Sequence, residues 1–243
     1  MNDPKRPSPA AADSSFSAGL YRMLAWLSPG FPVGSFAFSH GLEAAAASSS
    51  VRDRHSLQLW INAIVASGGG RIDADILRDA YRASAARDTV SLTDANRRGV
   101  AFRATAETRL ETTAQGDAFL ATCRAAWPDP VLDSWAEGIS ERGEAVCYAA
   151  AVGAATAQAG IPFDCALLGY LQAVASNLVS AGLRLGVIGQ TDGQRILAAL
   201  EPVIAAAVNG ASTRDPTSFG SATFAVELAS MAHEIQYTRL FRS

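Results

Sequence analysis

The chain has little charge, few cysteines and no concentrated basic segment. Charged residues make up 18% of its 243 positions, and 20 Lys and Arg against 23 Asp and Glu give a net charge of −3. Nucleic-acid-binding proteins normally have a clustered basic excess, so this near-balance argues against that class. The three cysteines, Cys123, Cys147 and Cys165, have no CxxC spacing, which disfavours a disulfide framework or a structural zinc site. We expect each cysteine to be a small buried side chain.

Motifs of common catalytic and nucleotide-binding sites are also missing. The run Gly68-Gly69-Gly70 has no Lys-Ser/Thr after it, so it predicts a helix break rather than a phosphate-binding loop. The sequence has no GxSxG or HExxH segment. Its three histidines, His40, His55 and His233, are not spaced to share a helix face with one another. We therefore expect no resident cofactor and no metal site built from this chain.

Two uncharged stretches come close to the length that spans a membrane. Ala145–Phe163 and Cys165–Leu183 are rich in Ala, Gly, Ser, Thr, Gln and Asn rather than in Leu, Ile and Phe. No aromatic belt or flanking Lys/Arg cluster marks their ends. They predict buried core helices, and we expect a soluble cytoplasmic protein that makes no membrane contact.

Abundant alanine and helical spacing of apolar residues predict an all-α fold. Ala is the best helix former, and the segment Leu57–Val65 places its apolar residues at i, i+3, i+4, i+7 and i+8. Phe224, Leu228, Met231 and Ile235 mark a last helix in the same way. We expect one compact bundle of about eight to ten helices over residues 17–243, preceded by a disordered arm over residues 1–16.

Several details of these helices can be predicted. A long polar helix is expected from about Thr93 to Cys123, and capping boxes are expected at Ser134–Glu137 and Thr191–Gln194. Asn209–Ser221 is expected to be a loop. Gly182 interrupts an apolar stripe, which indicates that another part of the backbone passes close to it.

The C-terminal segment, Met231–Ser243, has an unusual composition for a chain end. It contains aromatic, aliphatic and Arg residues up to the last positions, whereas disordered tails usually lack aromatics. Tyr, Phe and Arg are enriched at protein–protein hot spots. Two interpretations stay open: the segment orders on binding a partner, or it packs back on its own domain.

His40 and Glu43 are the one pair whose spacing could place an acid and a base on one helix face. A general acid/base pair is conceivable, but no nucleophile or oxyanion donor accompanies it, and a surface ion pair or a partner contact is the favoured interpretation. The candidate partner-binding residues are Phe36, Phe38, His40, Glu43, His233, Tyr237, Arg239, Leu240, Phe241 and Arg242.

Segments spread over most of the chain resemble the urease accessory protein F family. They are Ser28–Glu43, Tyr170–Leu200, the C-terminal segment with its HE-x-QY-x-RLFRS pattern and, more weakly, Arg103–Leu120. Many relatives have Pro-Leu-Gly-Gln where this chain has Val187-Ile188-Gly189-Gln190. The missing Pro could let the preceding helix run further.

The resemblance implies a function that the residues alone do not reveal. It implies an all-helical cytoplasmic protein that has no enzymatic activity of its own and forms a homodimer. Its partners would be the urease accessory protein called D or H, the accessory GTPase G and apo-urease, and its role would be to assist GTP-dependent nickel insertion as a scaffold. Three alternatives stay open: regulation of the GTPase through Arg239 or Arg242, direct nickel carriage, and a helical enzyme that uses His40 and Glu43.

Overall fold

A computed structural model describes the backbone of residues 9–243 and the side chains of residues 16–215 and 217–243. Over this range the chain forms eleven α-helices, two short 3₁₀ helices and no β-strand, which confirms the all-α prediction. The α-helices are α1 (Pro9–Trp26), α2 (Leu42–Ala47), α3 (Arg54–Ser67), α4 (Gly69–Ala85), α5 (Thr89–Ala101), α6 (Ala106–Ala126), α7 (Pro130–Glu141), α8 (Tyr148–Gln158), α9 (Phe163–Arg184), α10 (Gln190–Thr213) and α11 (Phe224–Glu234). The 3₁₀ helices cover Ser35–Ala37 and Pro216–Ser218. Only α2, with six residues, is shorter than two turns.

The disordered arm predicted over residues 1–16 lies partly outside the described residues. Residues 1–8 are not described, whereas residues 9–16 form the first turns of α1. The helix therefore begins earlier than the sequence predicts. Pro is favourable at the first helical position because its missing N–H would have no helical partner there, and three Ala residues follow Pro9.

The strong helix breaks are where the sequence predicts them, but both predicted capping boxes are wrong. Helix α7 begins at Pro130, and its N-cap is Asp129, whose carboxylate accepts from the Val131 and Leu132 amides. Helix α10 begins at Gln190 after Gly189. Ser134 therefore lies inside α7, and Thr191 is the second residue of α10 rather than its N-cap. Helix α10 also runs to Thr213, into the segment predicted as a loop.

The single polar helix predicted over Thr93–Cys123 is in fact two helices, α5 and α6. In the turn between them, Arg103 points inward, and its Nη2 lies 2.5 Å from Asp73 Oδ1 of α4. Thr105 then caps α6 by accepting a hydrogen bond from the Thr108 amide at 3.1 Å. The capping residues are Thr and Thr, a pair that the usual Ser/Thr-x-x-Glu/Gln pattern does not detect.

The core is centred on α4 and α8, which pack closely together. Helix α8 is almost entirely buried and consists mainly of Ala. A Cβ on Gly153 would lie only 2.5 Å from the Leu77 carbonyl oxygen of α4, so glycine is what permits the two backbones to approach. The first uncharged stretch, Ala145–Phe163, is therefore a core helix in this fold.

Helices α9 and α10 are long and apolar enough to cross a membrane by length and composition alone. They pack against each other, and α9 also contacts the core helices α4 and α8. In α9, the buried Tyr170 hydroxyl donates a hydrogen bond to Asp73 at 2.9 Å. Core helices of soluble proteins pass the same length test, and the absence of membrane contact stays a prediction.

The C-terminal end of α9 shows what replaces the Pro that many relatives have. Gly186 adopts a left-handed φ of 72°, and the Val187 amide donates to the Gly182 carbonyl at 3.0 Å. This is the hydrogen-bond pattern of a glycine-terminated helix. The helix therefore stops at Arg184 without Pro, and it does not run further. Gly182 is closely packed, as expected, but its neighbour is a side chain: an added Cβ would lie 2.4 Å from Leu57 Cδ2 of α3.

Helix α11 turns its larger apolar side chains towards solvent. Its buried residues are Val226, Ser230 and His233, whereas the four residues that mark the helix in the sequence are all exposed. These four, Phe224, Leu228, Met231 and Ile235, form the α11 face. Thr105 Oγ1 lies 2.8 Å from Ser230 Oγ, and a Cβ on Gly41 would come within 2.8 Å of the Ser230 backbone nitrogen. A narrow polar side of α11 therefore packs against α6 and the start of α2.

Candidate functional site

His40 and Glu43, the predicted pair, do not face each other. His40 has a left-handed φ of 56° and lies before α2, which begins at Leu42. Its Nδ1 lies 3.2 Å from Glu111 Oε2 of α6. Burial would lower the pKa of His40, but the hydrogen bond and the negative charge of Glu111 outweigh it, so the pKa is raised. The two residues have separate partners, and the acid/base arrangement is not formed.

Glu43 is the anchor of the last residues of the chain, the strap Gln236–Ser243. Its Oε1 accepts from the Leu240 amide at 2.7 Å and its Oε2 from the Phe241 amide at 2.9 Å. The same Oε2 lies 2.9 Å from His233 Nε2. Burial would raise the pKa of Glu43, but the hydrogen bonds from Leu240, His233 and Phe241 favour the carboxylate and lower its pKa.

His233 lies between two carboxylates and is completely buried. On the side opposite Glu43, its Nδ1 lies 2.8 Å from Oε1 and 2.9 Å from Oε2 of Glu107 in α6. Arg239 of the strap donates from Nη1 to Glu107 Oε1 at 3.1 Å. Four side chains from α2, α6, α11 and the strap, Glu43, Glu107, His233 and Arg239, thus form one ion cluster, the strap cluster.

The end of the strap is bonded to the loop before α2. The Arg242 amide donates to the Ala37 carbonyl at 2.8 Å, and the Ser39 amide donates to the Ser243 main-chain oxygen at 2.7 Å. The Phe241 ring is only 4% exposed, and the Arg184 guanidinium lies over it at 4.3 Å from the ring centre. The strap therefore packs back on its own domain, which is one of the two interpretations left open by its composition.

The candidate partner-binding residues fall into a buried and an exposed group. Phe38, Glu43, His233 and Phe241 are buried. Glu43 and His233 belong to the strap cluster, and the Arg242 guanidinium of the strap lies over the Phe38 ring at 5.7 Å from its centre. His40 is half-buried against Glu111. The exposed group, which an outside protein could contact directly, consists of Phe36, Tyr237, Arg239, Leu240 and Arg242.

Important members of this site are absent from the sequence-based candidates. Glu107 and Glu111 look like parts of a solvated helix face, because Arg109 lies between them, yet Glu107 is buried and Glu111 is mostly covered. Their i, i+4 spacing, which places both carboxylates on one side of α6, is the signal that could have identified them. The α11 face is only partly anticipated: Met231 and Ile235 fall in the C-terminal segment that the sequence singles out, whereas Phe224 and Leu228 precede it.

The prediction that all three cysteines are buried is confirmed only in part. Cys123 and Cys147 are buried, as expected, and burial raises the pKa of Cys123 to about 12. Cys165 is exposed at the start of α9, so the expectation of a buried side chain is wrong for it. Among the side chains described for residues 16–215 and 217–243, no three of His, Cys, Asp or Glu come together in a way that could hold a metal ion.

The fold and the site define an all-α protein with an exposed apolar helix face next to an anchored C-terminal strap. Comparison with known proteins identifies its family. The family model UreF matches residues 51–201. The urease accessory protein UreF of Rhodopseudomonas palustris (strain BisB5) is 46% identical over 240 residues, which cover 99% of this chain and 98% of that protein.

Other relatives give the same result. The urease accessory protein UreF of Azorhizobium caulinodans is 47% identical over 96% of this chain and 99% of its own length. That of Bradyrhizobium sp. (strain BTAi1) is 45% identical over the full length of both. The chain therefore belongs to the UreF family of urease accessory proteins, and it has an accessory role in urease maturation.

Proposed function

We propose that this protein is a non-catalytic scaffold in urease maturation. In this role it joins the accessory D/H protein and the accessory GTPase G to apo-urease in the cytoplasm, for GTP-dependent insertion of nickel. The full-length similarity to urease accessory proteins supports the role in urease maturation. The exposed apolar surface of the chain supports a scaffold that acts by binding other proteins. Nickel is the cargo of this assembly and is delivered to urease.

The observation that carries the proposal is the α11 face. Phe224, Leu228 and Met231 point to solvent from one side of the eleven-residue helix, and Ile235, which directly follows the helix, is 87% exposed. Monomeric soluble proteins rarely expose such a contiguous apolar patch unless it binds something. Tyr237 and Leu240 follow in the strap, both exposed, and Arg239 and Arg242 lie beside them. Aromatic, apolar and Arg residues together are typical of an interface core.

We assign the α11 face and the exposed strap residues to the D/H protein. The strap is already held in shape by Glu43 and by the loop before α2, so binding would not have to order it. Pre-ordering removes part of the entropy that association costs. A second exposed apolar group on α1, which includes Leu20, Tyr21 and Leu24, is our assignment for the contact between two copies of the chain in a homodimer.

Co-purification of the accessory proteins tests the proposal. The full-length chain is expressed with the D/H protein, the GTPase and apo-urease, and each complex is weighed in solution. With this chain present, we expect one assembly that contains all four proteins. Without it, we expect the assembly to lack the D/H protein, the GTPase or both. GTP turnover by the GTPase is measured with and without the chain. Assembly that is the same without the chain would contradict scaffolding, and faster turnover without joint assembly would favour regulation of the GTPase.

A further inference from the structure

The strap cluster contains an imidazole with no neutral hydrogen-bond partner. His233 is fully buried, and each of its two ring nitrogens lies within 2.9 Å of a carboxylate oxygen, Glu43 on one side and Glu107 on the other. An ionised carboxylate can only accept hydrogen bonds. A neutral imidazole has one N–H and one lone pair, so in the neutral form one carboxylate oxygen would face that lone pair. The cluster must therefore keep one proton beyond the neutral ring and two carboxylates.

The other contacts show where that proton belongs. Glu43 already accepts the Leu240 and Phe241 amides, and Glu107 accepts from the Arg239 guanidinium. Hydrogen bonds to the charged form of a carboxyl group favour that form. These donors already bond to oxygens of both carboxyl groups, so the ring is the remaining place for the proton. Two carboxylates and one imidazolium, together with the partly exposed guanidinium of Arg239, then sum to zero charge around the buried ring, where an unpaired charge would be costly.

We propose that His233 is held as an imidazolium and that its second proton is the latch that fastens the strap to α2 and α6. The ring bonds to Glu43, which holds the strap backbone at Leu240 and Phe241, and to Glu107, which holds Arg239. Loss of the proton breaks one of these bonds and leaves two buried carboxylates with only Arg239 to balance them. The strap then loosens, and Phe241 is uncovered.

The direction of the pH dependence follows from the groups that face the ring. They are Glu43 from α2, Glu107 from α6 and Arg239 from the strap, and on α11 itself the Glu234 carboxylate is bound to the Ala106 amide at 3.0 Å. A protonated ring donates to both carboxylates and a neutral ring to only one, so the closed strap is favoured at lower pH and weakened at higher pH. The latch is independent of which partner binds the α11 face.

Nuclear magnetic resonance of the full-length wild-type chain tests the proton directly. With ¹⁵N-labelled histidine, we expect both ring nitrogens of His233 to carry a proton at neutral pH, whereas His55, which is exposed on α3, serves as the solvated reference. As the pH rises, the amide signals of Leu240 and Phe241 should shift with the same midpoint as the His233 ring. A singly protonated ring at neutral pH, or amides that do not respond to its deprotonation, would overturn the proposal.

A matched pair of variants tests the latch. His233→Gln removes the charge, and His55→Gln makes the same change on the surface. Cleavage by trypsin after Arg239 should be about tenfold faster or more in His233→Gln, because loss of a buried charge partner favours the open strap, and unchanged in His55→Gln. Equal cleavage of both variants would contradict the latch. If His233→Gln does not fold, the wild-type titration decides the question.

Discussion

Glu43 joins parts of the chain that are far apart in the sequence. Its carboxylate connects α2 to the strap through the Leu240 and Phe241 amides and to α11 through His233. A buried, well-bonded ion pair stabilises a fold little more than apolar residues of similar volume would. Removal of one partner is nevertheless costly, because the remaining charged groups are left unpaired. The spacing of His40 and Glu43 in the sequence predicts a shared helix face, and the left-handed backbone at His40 is the reason that prediction is wrong.

Replacement of Glu43 by Ala should destabilise the protein strongly. The change leaves the buried His233 and two backbone amides without their acceptor, and we expect the free energy of unfolding to fall by about 3–5 kcal/mol. Denaturant unfolding measures this loss. Glu137→Ala is the matched control, because Glu137 is exposed on α7, and it should change stability by less than about 0.5 kcal/mol. Equal losses for the two variants would show that the strap cluster contributes nothing to the fold.

Acid should weaken the protein partly through Glu43. Its pKa is lower in the folded state than in the unfolded state, so its contribution is present above the unfolded value of about 4.3 and is lost as the pH falls through the folded value. Unfolding of the wild type and of Glu43→Gln is followed from neutral pH into acid. The variant should begin less stable and should lose less stability over this range. Parallel losses in the two proteins would contradict the assignment.

At the scale of helices, the sequence predicts the breaks made by Gly and Pro well and the orientation of the helices poorly. Gly68-Gly69-Gly70 and Trp127–Pro130 end their helices as expected, since Gly and Pro act locally. The apolar stripe of α11 has correct helical spacing, yet it faces solvent. The polar side of α11 decides which way the helix faces, because Ser230 and His233 have hydrogen-bond partners at the start of α6 and in α2. Those partners lie more than a hundred residues away, so no local pattern reveals them.

Deletion of Gln236–Ser243 should lower stability and partner binding together. The structure buries Phe241 and bonds the strap backbone to Glu43 and Ala37. Burial of one Phe contributes about 1.5–3 kcal/mol, so the melting temperature should fall by several degrees. Leu240→Ser keeps the backbone bonds and removes only an exposed side chain. It should melt like the wild type, and equal melting of the deletion and the wild type would show that the strap is not part of the fold.

Gly182→Leu should destabilise the contact between α9 and α3. An added Cβ would already lie 2.4 Å from the buried Leu57 side chain, and overpacking typically costs about 1–3 kcal/mol. Gly210→Leu is the matched control: it is also a helical glycine, but the nearest outside atom to its added Cβ is the end of Arg214 at 3.4 Å. Thermal melting should separate the two variants. A Gly182→Leu protein as stable as the Gly210→Leu protein would show that α3 can move aside easily.

For the whole molecule, the fold follows from the sequence more directly than the site does. Alanine content and 3.6-residue spacing predict an all-α protein because these features act within each helix. The strap cluster depends on residues that meet only in the folded chain: Glu107 and His233 are 126 positions apart. The composition of the C-terminal segment indicates that it is not a disordered tail, but composition does not distinguish binding to a partner from packing on the same chain. Both occur in our account, since Phe241 packs inward while Tyr237 and Leu240 point outward.

Two variants on exposed surfaces test whether the α11 face binds the accessory D/H protein, as we propose. Leu228→Asp places a charge in the middle of that face without touching the core, and Val90→Asp makes a similar change at an exposed apolar position on α5. Both variants should melt close to the wild type, because both side chains are exposed.

Titration of the purified D/H protein against the wild type and these two full-length variants measures the claim directly. We predict that Leu228→Asp weakens binding at least about tenfold, equivalent to about 1.4 kcal/mol, while Val90→Asp binds like the wild type. Wild-type affinity for a folded Leu228→Asp protein would contradict the account.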